Sequence, residues 1–363
     1  MRWTARSRPN VWRRVRAGCG LSFLAVAIQA CAFHIDRPKV VIGTGRPSGI
    51  YYSFSGSICR LVNLESPNDV RRCAATPAVG PVANVDALHN GRADIAIVPS
   101  NMLADTVAGE GPFAARAPES GLRVLFTGHA DTFTIVARRE LGIHSAAELR
   151  GWRINMGSPG SGEQLGTARI MTALGVSRKD FAEVRKLSLA EQHRALCANE
   201  LDAIVFSVGH PNGLIQGVMG TCRGVLVGIN GPSIEAMLGR HPEYERTVIR
   251  GGTYLDNPID VQTIGVRAVV VTTARLSGRN AYEITKSVFD DFRRLHPLFA
   301  TLSVDDMADV AVRAPVHSGA ARYFRERGWM EWGKEKMVPP AGLEPATLAL
   351  RKNSSSINHY KTT

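Results

Sequence analysis

KVVIGTGRPSGIYY, residues Lys39 to Tyr52, is the stretch that decides the fold class of this chain. Val40, Val41 and Ile42 have the β-branched composition of a short buried strand. Gly43, Gly45 and Gly49 follow, with Thr44 and Ser48 between them, and a helix can begin at about Ile50. Glycines at the carboxyl end of a strand let the backbone turn sharply and leave N–H groups bare at a helix start. An open α/β sheet places its ligand at such a point. Three readings fit the loop: a dinucleotide fingerprint, a plain structural turn, or a loop for a small ligand. The first asks for a second strand ending in an acid about 20 residues further on. Glu65 and Asp69 stand near that distance, but in the polar, Pro67-containing segment LVNLESPNDVRR, where no strand ends.

Working outward, strand-like and helix-like segments alternate. A helix over Ile50 to Asn63 is followed by a strand near Cys73, a helix over Val85 to Asn90, and a buried strand, Asp94 to Val98, ending at Pro99-Ser100-Asn101. Leu122 to Thr127 and Phe133 to Arg138 read as two closely spaced extended segments. The pattern then recurs. A short helix at Ala146 to Leu149 precedes a strand from Gly151 to Met156. The loop Gly157-Ser-Pro-Gly-Ser-Gly162 opens a helix to about Leu174, and a helix over Leu189 to Ala198 precedes a strand from Leu201 to Phe206. Val261 to Thr273 is a long β-branched run, with a helix from about Asn280 to Leu295. Such alternation argues for parallel sheets, and two α/β lobes with polar strand-end loops suggest a ligand cleft between them.

Hydrophobic and charged contents of 44% and 21% are those of a soluble globular protein. The net charge of +12 sits mostly at the ends: six arginines and no acid within residues 1–32 give +6, and residues 337–363 give a net +2, leaving +4 for the body. A nucleic-acid surface is therefore not expected. Arg2 to Arg16, the apolar run Leu21 to Ile28 and Ala30-Cys31-Ala32 together read as an export signal, too short to span a membrane. Export implies a periplasmic location, with Cys31 a candidate for lipidation. Cys59, Cys73, Cys197 and Cys222 then remain in an oxidising compartment. The sequence-local pairing, Cys59 with Cys73 and Cys197 with Cys222, is one of three, and free buried thiols are the other option.

Catalytic signatures are missing. Neither Ser161 nor Ser207 sits in G-x-S-x-G, and there is no G-x-x-x-x-G-K-[ST] or H-E-x-x-H. No enzyme activity, cofactor or metal is expected. Short hydroxyl- and glycine-rich loops remain, suited to holding a small polar molecule.

These loops, in order, resemble those of the TAXI-type solute-binding receptors of tripartite (TRAP) transporters. Gly43-Thr44-Gly45, Gly49, Tyr51 and Tyr52 match the family's opening G-T-G-G-x-x-G-x-Y-Y, with Arg46 replacing a glycine. Thr76, Gly80, Val82 and Asn84 match a second stretch loosely, with Pro81 in place of a serine. GRADIAIVPSN carries Asn101 where the family has Asp, Pro159-Gly160-Ser161-Gly162 is followed by Glu163 in place of Thr, and Gly252-Thr253-Tyr254 recurs. The resemblance covers residues 38 to 330. It implies a two-lobed, periplasmic-binding-protein-like (type II) α/β fold that captures a small carboxylate or amino acid, glutamate-like, and delivers it to TRAP permease subunits. The expected ligand contacts are Thr44, Gly45, Arg46, Ser48, Tyr51, Ser100, Asn101, Ser158, Gly160, Ser161, Gly162, Glu163, Val208, Pro211 and Asn212. The expected organisation is an export signal over 1–32, a first lobe over 33–130 and a second over 131–235. A return to the first lobe then spans 236–336, and a disordered tail 337–363. The competing functions are a nucleotide-dependent oxidoreductase using the GTGRPSG loop and a ligand-sensing receptor of the same fold.

Overall fold

Two long strands carry the architecture, one of 17 residues from Leu122 to Arg138 and one of 13 from Val261 to Thr273. The computed structural model describes residues 40–330, apart from Ser48, 66–71, Ala117, 292–301 and 310–312. The expected export signal, Cys31, Ser48 and the tail from 337 lie outside the described residues.

In chain order the elements begin with β1 (Val40–Gly43), α1 (Ile50–Glu65), β2 (Cys73–Thr76), α2 (Pro81–His89), β3 (Ile95–Pro99), α3 (Ser100–Ala108) and β4 (Leu122–Arg138). They continue with β5 (Arg153–Asn155), α4 (Gly162–Ala173), β6 (Glu183–Arg185), α5 (Leu189–Cys197), β7 (Ala203–Val208) and α6 (Gly213–Thr221). The last are β8 (Gly224–Val227), α7 (Pro232–Arg240), β9 (Glu245–Ile249), β10 (Val261–Thr273), α8 (Gly278–Asp290), α9 (Val304–Ala308) and α10 (Ser318–Glu326). None of these helices is long and apolar enough to cross a membrane.

The strands bond in the order β2-β1-β3-β10-β4-β7-β5-β6, with β8 on β4 and β9 on β10. In the first lobe β1, β2 and β3 run parallel, as their helical crossovers require, and the far half of β10 lies antiparallel to β3. In the second lobe β5, β6 and β7 run parallel, and the far half of β4 lies antiparallel to β7 and β8. The β4–β10 ladder joins the lobes, from Thr273↔Leu122 to Gly265↔Thr132.

Period-two alternation assigns each face to a core. Ala203 and Val205 of β7 face one second-lobe core, with Phe133, Ile154 and Ile170. Ile204 and Phe206 face the other, with Val136, Ile215 and Val218. In the first lobe Ile97 and Val270 pack with Phe54, Val288 and Phe324, and Val98, Val269 and Val271 pack with Leu88, Leu103 and Phe113. The sheet of each lobe is thus covered on both sides, which explains its continuous apolar strands.

Two expectations need correction. Leu122–Arg138 is a single strand, because its polar middle stays in the ladder with β10. The chain also does not return to the first lobe at 236: Ile234, Met237, Tyr244 and Ile264 fill the second-lobe core with Phe133. The crossing is made within β10 itself, between Ile264 and Ala268, which belong to different cores. Disulfides join Cys59 to Cys73 and Cys197 to Cys222, with Cα separations of 4.9 and 4.7 Å, each within one lobe.

Helix α4 packs on the sheet where Gly166 meets the Phe133 ring, and a Cβ there would overlap Cε1 and Cζ. Both residues are buried, so neither has room to move away. Gly166→Ala is expected to lower stability by about 1–3 kcal/mol, the usual cost of overpacking. Urea denaturation checks it, and a variant as stable as the parent would show that the helix shifts freely on its sheet.

Candidate functional site

The strand-end loops of both lobes converge where β4 crosses between them. Thr127 pairs with Val269 and Ala130 with Arg267, so Gly128 and His129 together oppose Ala268. Two residues facing one is a β-bulge, which bends a strand and re-aims its side chains. Gly128 suits it because a Cβ would come within 2.5 Å of the Phe54 ring. His129 within the bulge and Asp131 just beyond it are buried, with His129 Nε2 3.3 Å from Asp131 Oδ1. His129 meets the rings of Tyr51 and Phe54 edge-on at 5.6 and 5.5 Å.

Both lobes close on this floor. From the first, Tyr51 at the start of α1 sets its hydroxyl against the Asp131 carboxylate. Burial first, and then that negative charge, raise the phenol well above its usual range. From the second, Glu163 in the first turn of α4 feels the same carboxylate. Burial pushes Glu163 up, its own backbone N–H and the Ser161 hydroxyl pull it back, and Asp131 adds to the rise. Arg46 is exposed, with its guanidinium close enough to favour the charged form of Glu163. The lobes also touch directly. A Cβ on Gly80 would stand 3.4 Å from Gly160 O, one on Gly162 4.0 Å from Pro99, and one on Gly209 3.7 Å from Ile50.

Several expected contacts are already engaged within the protein. The buried Thr44 hydroxyl donates to Gly45 O at 3.0 Å. Ser161 caps α4, its Oγ accepting from Gln164 N at 3.2 Å, and Ser158 O accepts from Ser161 N. Asn212 caps α6 by accepting from Leu214 N at 3.0 Å. Ser100 and Asn101 turn to the second lobe: Ser100 Oγ donates to Glu243 O at 2.7 Å and accepts from Arg267 N, and Asn101 Nδ2 donates to the Tyr244 hydroxyl at 3.1 Å. Arg169 of α4 adds a bond to Asp105 of α3 at 2.8 Å. The expected residues that share the Asp131 floor are therefore Tyr51 and Glu163, with Arg46 at the edge. Val208 ends β7 opposite Thr132, next to that floor, while exposed Pro211 leads away into α6. His193, Cys197 and Cys222 lie close enough for a metal ion, but both sulfurs are committed to a disulfide.

Residues 42–328 match the NMT1-like family. The chain belongs to that family. Among solved structures, this NMT1-like chain is similar to the alkanesulfonate-binding protein SsuA from Xanthomonas axonopodis pv. citri bound to MOPS, at 16% identity over 80% of each chain and a TM-score of 0.42. It is similar to the periplasmic aliphatic sulphonate binding protein SsuA from Escherichia coli, at 13% identity over 80% of this chain and 92% of that one, TM-score 0.44. A TRAP periplasmic solute binding protein from Sulfitobacter sp. NAS-14.1 with bound β-D-galacturonate shows 8% identity over 72% and 81%, TM-score 0.41.

His129 and Asp131 were not among the expected site residues of this NMT1-like chain. Their signal is Gly128-His-Ala-Asp131, a polar interruption in LRVLFT…TFTIVAR that reads as a gap between two strands. In the loop after β7, His210 is held in a hydrogen-bond network. Its Nε2–H donates to Thr134 Oγ1 at 2.9 Å, the Thr134 hydroxyl in turn donates to Thr132 O at 3.2 Å, and Tyr254 O–H donates to His210 Nδ1 at 2.5 Å. Asn212 N completes the chain by donating to the Tyr254 oxygen at 2.8 Å. Every position is filled with a neutral imidazole, and burial pushes its pKa down to about 4.

Because the folded value lies below the ordinary 6.5, this group's contribution to stability is complete above pH 6.5 and is lost as the pH falls toward 4. About 1.4 kcal/mol per pH unit makes the loss about 3 kcal/mol across that window. His210→Gln, which keeps a donor toward Thr134, is expected to flatten this part of the profile. Melting temperatures of parent and variant from pH 4 to 7 check it, and parallel curves would refute the assignment.

Proposed function

We propose that this protein is a receptor that captures a small polar solute between its lobes and hands it to a membrane permease. The observation that carries the reading is the convergence of loops from both lobes on Asp131, at the point where β4 crosses between them. A site assembled from two bodies joined by two strands changes shape when the bodies move, which couples occupancy to an outward signal. The NMT1-like membership and the partial likeness to periplasmic binding proteins support the same reading. Resemblance to the TAXI type favours a TRAP permease as partner, an exported protein and a glutamate-like amino acid or related carboxylate as solute.

The mechanism follows from the strands. Each half of β4 is fixed in its own lobe by buried side chains, so closure is absorbed by the bulge at Gly128–His129 and the residues facing it on β10. Solute bridging Tyr51 and Glu163 favours the closed form by its differential contacts with the two arrangements. Titration calorimetry with amino acids and small carboxylates is expected to reveal saturable one-to-one binding, with a smaller radius of gyration in solution scattering at saturation. Binding with no change in radius would remove the closure mechanism.

A further inference from the structure

Helix α4 carries two adjacent faces that pack in opposite directions. Gly166 and Ile170 hold it on its own sheet, against Phe133 and the second-lobe core. Gly162, Leu165 and Arg169 follow at i, i+3 and i+7, a spacing that lines one stripe along a helix. That stripe turns to the first lobe. A Cβ on Gly162 would stand 4.0 Å from the Pro99 ring, so the backbone at the start of α4 comes close to the end of β3. Leu165 packs against the first-lobe core that holds Val98, Leu103 and Val269. Arg169 Nη2 donates to Asp105 Oδ1 at 2.8 Å. The contacts at Pro99 and Asp105 run along α3 in step with those at Gly162 and Arg169, so the two helices meet over about two turns.

The polar end of this stripe is fixed from both lobes. Arg169 Nη1 donates to His241 Nδ1 at 3.3 Å, on the segment between α7 and β9 of its own lobe, which aims the guanidinium before it crosses. Asp105 is 6% exposed on α3, with Gly111 packed so closely that a Cβ there would stand 3.0 Å from Asp105 Oδ2. A carboxylate covered to this extent depends on its cation. Such a pair adds little net stability, yet removing one partner strands the other charge without water at a large cost. Parting the lobes gives water back to that carboxylate, so the cost falls on the closed arrangement alone.

We propose that this stripe of α4 is a latch: Leu165 and the Arg169–Asp105 pair hold the two lobes together in the empty protein and set how often they part. The inference goes beyond solute capture, because the latch acts with nothing between the lobes. It lies on side chains of α3 and α4 rather than on the strands that join the lobes, so it tunes the opening without altering the hinge.

Solution scattering on the full-length, empty protein tests it. Arg169→Met keeps a helix-forming, apolar stem and strands Asp105. The open-to-closed ratio is expected to rise about tenfold or more, read as a larger radius of gyration than the parent's. Adding Asp105→Asn to Arg169→Met removes the stranded charge and is expected to bring the radius back toward the parent value. Ala168→Gln, exposed on the same helix, is the control and is expected to leave the radius unchanged. Leu165→Ser, at a partly buried position, is expected to expand the empty protein as well, and it serves should Arg169→Met fail to fold. Either variant, folded by circular dichroism yet as compact as the parent, overturns the latch. Equal expansion in the single and double variants at Arg169 overturns it too. No solute enters these measurements, so calorimetry that finds no ligand would sink the receptor reading and leave the latch standing.

Discussion

Everything in this molecule depends on two strands that belong to both lobes at once. β4 supplies Val124, Phe126, Phe133 and Val136 to four different hydrophobic cores, and β10 supplies Ile264, Val269 and Val270 to three of them. Each core holds its stretch of strand rigidly, because close-packed side chains tolerate little displacement. The short stretch between the cores is the place where the backbone can bend. It is also where the strand turns from apolar to polar, with His129 and Asp131 buried between the lobes and His129 edge-on to the Tyr51 and Phe54 rings. The proposed hinge and the proposed binding floor therefore fall on the same stretch of strand.

The contacts between the lobes are of a different order. Ser100 to Glu243, Asn101 to Tyr244 and Arg169 to Asp105 are hydrogen bonds and one half-buried ion pair. Net contributions of such bonds are about 0.5–1.5 kcal/mol each, more where charge is involved. Burying one large aliphatic or aromatic side chain stabilises by about 1.5–3 kcal/mol, and each lobe buries many. The lobes are therefore firm and their approach is shallow, as the proposed receptor, which must open again, requires. Asp105 illustrates the balance: burial raises its pKa even with Arg169 beside it, so the ion pair gains little over its desolvation cost.

Much of the fold was legible because alternation and glycine punctuation are local signals. Val261 to Thr273 reads as a strand from its β-branched run, and the helix expected over Leu189 to Ala198 forms at Leu189–Cys197. What stayed hidden is long-range. Nothing local in Ile234, Met237 or Tyr244 says which lobe they pack in, since both lobes offer apolar faces of the same kind. The loops of the site were readable as loops, but the direction of a hydroxyl was not: Ser161 and Asn212 are drawn to cap the helices that follow them, and Ser100 to the second lobe. Asp131 escaped notice because a polar break in a strand has the same appearance as a turn until the partner strand is known.

The two disulfides span 14 and 25 residues, and both lie upstream of β10. A chain emerging from its N-terminus can therefore form both bridges before β10, the strand between β3 and β4, has appeared. Cross-linking this local leaves the threading of β10 between β3 and β4 unobstructed, since neither bridge encloses that path. A chain cut short before β10 would therefore hold its covalent framework while lacking the strand that links β3 to β4.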